Sequence, residues 1–182
     1  MPRSMHGPGE GFTPEGLRLL ALLLGAPDGD SLTTLRELRP RHPWLQPAVD
    51  ELAEIPLAQW QAEHTRLFVN GYPATPCAPF ESIYRHGQMQ GPACDELQRL
   101  YAAAGVAPAG DLPADYLGTM LAFAAWLLEQ GTPEAGDRLR VLRQGHLGLW
   151  LPAFGARLRQ ESRLRLYRQL GRRLGAWIPE AA

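Results

Sequence analysis

Apolar residues recur at three- and four-residue intervals along most of this chain, a pattern that predicts helices nearly throughout. Thr13-Pro14-Glu15 offers a cap, a proline at the first helical position and an acid in the first turn. Leu17, Leu20 and Leu24 follow at helical spacing, and Gly25 supplies the stop. Pro56 opens a second stripe of Leu57, Trp60, His64, Leu67 and Phe68 that ends at Gly71. Leu97, Leu100, Tyr101 and Ala104 form a third, stopped by Gly105. Pro113 to Gly131 reads as the longest helix, with Leu117, Leu121, Ala124 and Leu128 on one face and Phe123 and Trp126 widening it into a core element. Thr132-Pro133-Glu134 repeats the start signal before Leu139 and Leu142, with Gly145 as its stop. The last helix, around 160–177, carries Tyr167, Leu170, Leu174 and Trp177 on one side. Arg165, Arg168 and Arg172 lie largely off that stripe and read as a solvated face.

No run of alternating β-branched residues interrupts this pattern, and leucine and alanine far outnumber valine and isoleucine. The fold class expected is all-α, a single-domain bundle of about eight or more helices spanning 12–178, preceded by a flexible tail at 1–11. Pro73, Pro76 and Pro79 stiffen a connecting loop at 71–79, which is expected to cross the surface between two helical blocks.

Composition narrows the function. With 182 residues and a net charge of −1, the chain lacks the broad cationic excess of a nucleic-acid binder. Every basic residue other than histidine is arginine, from which no function follows. Its longest dense apolar run, Leu19–Leu24, is far short of the roughly 20 residues that span a bilayer. Cys77 and Cys94 stand apart, in neither a disulfide framework nor a metal-ligand spacing. A cytoplasmic protein without membrane insertion, bound metal or cofactor is expected.

Motifs for catalysis are missing: there is no G-x-S-x-G elbow, no H-E-x-x-H and no P-loop. His64 lies on an apolar helix face, where a satisfied core histidine is the ordinary outcome. His86 and His146 fall near expected helix ends, where capping is the ordinary role. Glu81 and Asp115 are candidate carboxylates that no spacing brings together. An enzyme is therefore not expected. Binding has better support. The prolines preorganise the loop, Phe80 and Tyr84 offer aromatic faces, Glu81 an anion and Ser82 a hydroxyl. That mixture suits a groove for an amphipathic, basic peptide. It equally suits two core aromatics and the first turn of the next helix, and residue chemistry leaves both open.

Three ordered blocks carry a resemblance. Glu63-His64-Thr65-Arg66-Leu67-Phe68 is followed by Pro76, Pro79, Phe80-Glu81-Ser82 and Tyr84. Then come Pro113-Ala114-Asp115-Tyr116-Leu117 and, later, His146-Leu147 with Trp150, Pro152 and Phe154, and Tyr167 in the last helix. The set resembles the TorD/DmsD/NarJ family of cytoplasmic chaperones for molybdenum-containing redox enzymes. It departs where the family has an aromatic in place of His64, a histidine in place of Tyr116 and a glutamate in place of Met120. The resemblance implies a non-catalytic chaperone that binds the twin-arginine signal peptide, or a nearby segment, of an apo-molybdoenzyme catalytic subunit. Such a chaperone assists cofactor insertion and delays export of the empty enzyme. It also implies a client-binding set of His64, Leu67, Phe68, Pro79, Phe80, Glu81, Ser82, Tyr84, Asp115 and Tyr116. Glu81 and Asp115 would meet the client's arginines, and the chaperone itself would be a monomer or an exchanged dimer. The alternative is a helical regulator that responds to a small molecule or nucleotide.

Overall fold

The computed structural model describes residues 12–177, all of whose regular structure is helical. The helices are α1 (Pro14–Leu23), α2 (Ser31–Leu38), α3 (Gln46–Ala53), α4 (Leu57–His64), α5 (Glu81–His86), α6 (Pro92–Ala103), α7 (Leu117–Gln130), α8 (Pro133–Val141), α9 (Gly148–Glu161) and α10 (Arg165–Trp177). A 3₁₀ turn, Pro43–Leu45, leads into α3. Two π-helical segments prolong others: Thr65–Val69 continues α4, and Leu142–Leu147 joins α8 to α9. The all-α expectation holds. The expected tail at 1–11 and the last expected domain residue, 178, lie outside the described residues.

Local chemistry explains the starts. The Thr13 hydroxyl accepts from the Gly16 N–H at 3.1 Å and Thr132 from that of Ala135 at 3.2 Å, each followed by proline at the first helical position. α1 packs along α7, and α9 along α10, in the two most extensive helix pairings; α3 and α1 also touch α10. One apolar cluster draws on these elements, from Leu17 and Leu20 through Leu121 and Phe154 to Leu174. Inside it the Trp60 indole N–H donates to the Tyr167 hydroxyl at 2.9 Å, and the Phe68 ring meets Tyr167 edge-on at 5.2 Å.

Four expectations are corrected. The long helix starts at Leu117, four residues after Pro113, because 115–117 pair with the chain at 79–81. Gly145 stops nothing: the chain runs through it in the π segment. The last helix begins at Arg165, since α9 ends at Glu161 and Ser162 turns extended (ψ 133°). The proline loop crosses the surface only in its first half. Tyr72 is fully exposed, whereas Cys77, Ala78 and Pro79 are buried, with the Cys77 N–H donating to the Leu67 carbonyl at 2.9 Å.

α9 and α10 touch backbone to backbone at Gly155 and Gly171. A methyl group added at Gly155 would lie 2.8 Å from the Gly171 carbonyl oxygen, and one at Gly171 would lie 2.6 Å from that of Gly155. Either Gly155→Ala or Gly171→Ala should therefore lower the unfolding free energy by about 1–3 kcal/mol through overpacking, read as a lower urea midpoint with unchanged slope. Gly175→Ala, one turn away and with open space around the added methyl, should leave the midpoint the same or slightly higher.

Candidate functional site

The Phe80-Glu81-Ser82 and Asp115-Tyr116 motifs meet. Phe80 and Tyr116 form an isolated antiparallel bridge, with the Glu81 N–H donating to the Asp115 carbonyl at 3.2 Å and the Leu117 N–H to the Pro79 carbonyl at 2.9 Å. The Asp115 carboxylate accepts from the Ser82 N–H at 2.8 Å and from the Cys94 thiol at 2.8 Å. Asp115 thus caps the first two N–H groups of α5, which has no side-chain cap of its own. The Ser82 hydroxyl accepts from the Gly91 N–H at 3.0 Å, where α6 begins. The starts of α5 and α6 therefore converge on one carboxylate with no exposed surface, two residues ahead of α7. The positive ends of α5 and α6 help to compensate its charge.

Glu81 is equally buried and points elsewhere. Its carboxylate accepts from Arg85 at 2.6 Å and lies 3.1 Å from His146 Nδ1, while Arg85 also reaches Glu96 at 3.5 Å. His146 comes from the π segment before α9, so this network joins α5 to α9. His146 was expected to cap a helix end; it is instead an interior residue. Its position in a widened turn is a feature that helical periodicity does not display.

The rest of the expected set divides clearly. His64, Leu67 and Phe68 are buried in the core. The His64 Nε2–H donates to the Leu24 carbonyl at 2.9 Å, which places the proton on that nitrogen and ties α4 to the end of α1. Neighbouring Glu63 holds Arg66 through two hydrogen bonds and accepts the Arg163 N–H at 2.7 Å, fixing the turn into α10. Pro79 and Ser82 are buried, and half-buried Tyr84 lies 5.1 Å from the Trp150 ring. Phe80 and Tyr116 keep partial exposure. With Glu81 and Asp115 enclosed and satisfied, the direct contact expected between these carboxylates and a client's arginines has no open path in this conformation.

Tyr116 borders an open groove of about 460 Å³. Tyr101, Phe123 and Trp126 form aromatic walls; Gly118, Thr119 and Ala122 line the α7 side, and the Val106–Ala109 loop closes the other. The lining is mostly apolar and has no carboxylate, cysteine or histidine. A methyl group on Gly118 would come within 2.4 Å of the Tyr116 ring, so glycine is what lets that ring lie over the first turn of α7. The Tyr101 hydroxyl donates to the Ala114 carbonyl at 2.8 Å, locking the wall to the Asp115 segment. The groove escaped the sequence reading because its small residues punctuate a helix already read as core. Among the described residues, no group of three or more metal-ligating side chains occurs, and no helix is long and apolar enough to cross a membrane.

The family profile described as nitrate reductase delta subunit matches residues 29–156, and the chain belongs to that family, of the NarJ/TorD type. It is 31% identical over 98 residues to chaperone protein YcdY of Escherichia coli K12, covering 54% of this chain and 50% of YcdY. The chain thus matches half the length of that curated relative. Its fold superposes on a crystal structure from Archaeoglobus fulgidus assigned to redox enzyme maturation, with a TM-score of 0.69 at 22% identity, over 95% of this chain and 96% of the other. Members of the family are chaperones rather than enzymes.

The Asp115 junction generates two predictions. Asp115→Ala leaves the Ser82 N–H and the Cys94 thiol without their acceptor and should cost about 2–4 kcal/mol in urea unfolding, with Asp115→Asn losing less. Burial, followed by the bond to Asp115, pushes the Cys94 thiol up to about 11, and burial pushes Cys77 up to about 12. Both thiols are thus held protonated in the folded protein, whereas unfolded thiols ionise near 9.0. The stability they contribute is fully present below about pH 9 and falls as pH rises from there towards 11 or 12. Denaturant midpoints across that range should decline, and at pH 8 a thiol reagent should modify both cysteines only as the protein unfolds.

Proposed function

We propose that this protein is a cytoplasmic chaperone that holds an apo-molybdoenzyme catalytic subunit by its twin-arginine signal peptide or a nearby segment. It keeps the subunit from export until cofactor is inserted. The observation that carries this reading is the position of Tyr116. It stands in the family motif, directly after the buried capping aspartate, and its ring borders the apolar groove. The client's apolar stretch is taken to lie in that groove, against Tyr116, Phe123 and Trp126, with Phe80 beside Tyr116 at 5.7 Å. Glu81, Ser82 and Asp115 serve the site by holding its walls together rather than by touching the client. His64, Leu67, Phe68, Pro79 and Tyr84 do the same from within the core. A shallow apolar contact of this kind releases its client readily, as a chaperone must.

Calorimetry with a synthetic peptide of two adjacent arginines followed by an apolar stretch tests the site. Ala122→Trp, on the exposed face of α7, should fill the groove and weaken binding about tenfold or more without lowering the melting temperature. Tyr116→Ala should weaken it too. Equal affinity in the wild type and Ala122→Trp would exclude the groove as the binding site.

A further inference from the structure

The net charge of −1 conceals a strong separation along the chain. Residues 138–177 carry ten arginines and a single carboxylate, Glu161, whereas residues 12–137 carry seven arginines and sixteen carboxylates. The cationic part is largely the α9–α10 hairpin. Several of its arginines are occupied: Arg143 donates to the Trp177 carbonyl and stacks on that ring, Arg173 lies 5.0 Å over Trp44, and Arg168 donates to the carbonyls of Ser162 and Arg163. Arg157, Arg159 and Arg172 are exposed and, among the described residues, have no carboxylate within 4.0 Å.

Arg159 and Arg172 also flank a cleft of about 350 Å³ between the two helices. Its floor is Pro152, Ala156, Gly171, Gly175 and Ala176, and it shares no residue with the apolar groove. The Gly155–Gly171 contact that draws the helices together keeps this floor low and free of long side chains. We infer that the cleft is a docking site for an acidic segment of a partner polypeptide, whose backbone lies on the glycine-alanine floor and whose carboxylates pair with Arg159 and Arg172.

Three features favour this occupant. Guanidinium groups form two-pronged hydrogen bonds with carboxylates, so a pair flanking a narrow cleft reads acidic side chains on one strand. The floor gives an extended backbone close approach, which a merely solvated arginine face does not provide. A long polyanion or an anionic membrane would also face the acid-rich remainder of the molecule, whereas a short acidic segment meets only the hairpin. The inference does not depend on the reading of the apolar groove.

Binding of a fluorescently labelled ten-residue peptide of alternating glutamate and glycine tests it. The wild type should bind this peptide and not its lysine counterpart, with affinity falling as salt is raised. Arg159→Glu and Arg172→Glu should each weaken binding about tenfold, and Lys at both positions should restore part of it. Both side chains are exposed, so melting temperature and peptide affinity at the apolar groove should stay unchanged in these variants, which separates this site from the other. Amide shifts on titration should centre on Gly171 and Gly175. Four results would overturn the inference: equal binding by the charge-reversed variants, shifts spread evenly over all the arginines, tighter binding of a single-stranded oligonucleotide of equal charge, or salt-sensitive self-association through the same two arginines.

Discussion

The heads of three helices of this protein meet around buried Asp115, and that junction is the constraint from which much of the remaining architecture follows. A buried carboxylate is tolerated only where donors surround it. Here they are the N–H at the head of α5 and a thiol from the first turn of α6, while the residue's own carbonyl receives the Glu81 N–H. The bond from Leu117 to the Pro79 carbonyl adds the head of α7. With those starts fixed, Glu81 is turned inward, where Arg85 and His146 meet it, and α9 is drawn against α5. Tyr116, next along the chain, has one direction left to it, over Gly118 and beside the groove.

This arrangement separates two roles that a motif merges into one string of letters. Glu81, Ser82 and Asp115 have little or no exposure and spend their hydrogen-bonding capacity on the protein itself. The residues left with open faces beside them are aromatic or small: Tyr116, Trp126, Thr119 and Ala122. Family membership concerns the whole pattern, but the surface that meets another molecule concerns chiefly the second group. The two π segments belong to the same economy. Each adds a residue to a turn beside a motif, one carrying Leu67 and Phe68 and the other His146, and so aims side chains where regular α-helix would not.

Much of the fold was legible because it rests on short-range chemistry. Thr13-Pro14 and Thr132-Pro133 announce helix starts that the structure confirms through hydroxyl caps, and the stripe through Tyr167, Leu170 and Leu174 is the buried face of α10. What could not be read depends on long-range pairing. The delayed start of α7 follows from a bridge to residues more than thirty positions earlier, and local propensity at 113–116 carries no trace of it. The same holds for the site. Of the expected set only Tyr116 lines the groove; burial of Glu81 and Asp115 is decided by partners that sequence spacing does not reveal, and a motif rich in charge suggests exposure by default. Charge separation between the ends of the chain was visible all along; net charge, being a sum, erased it.

The Asp115 cap has a consequence for how the protein is made. Ser82 leaves the ribosome 33 residues ahead of the aspartate that accepts its N–H. During that interval α5 is a six-residue helix without a side-chain cap, too short to persist alone, and α6 lacks the partner of its Cys94 thiol. Residues 80–103 therefore await a later stretch of chain before they are anchored, and the groove beside Tyr116 cannot exist until then. The nascent protein must finish its own middle before it has anything with which to hold another.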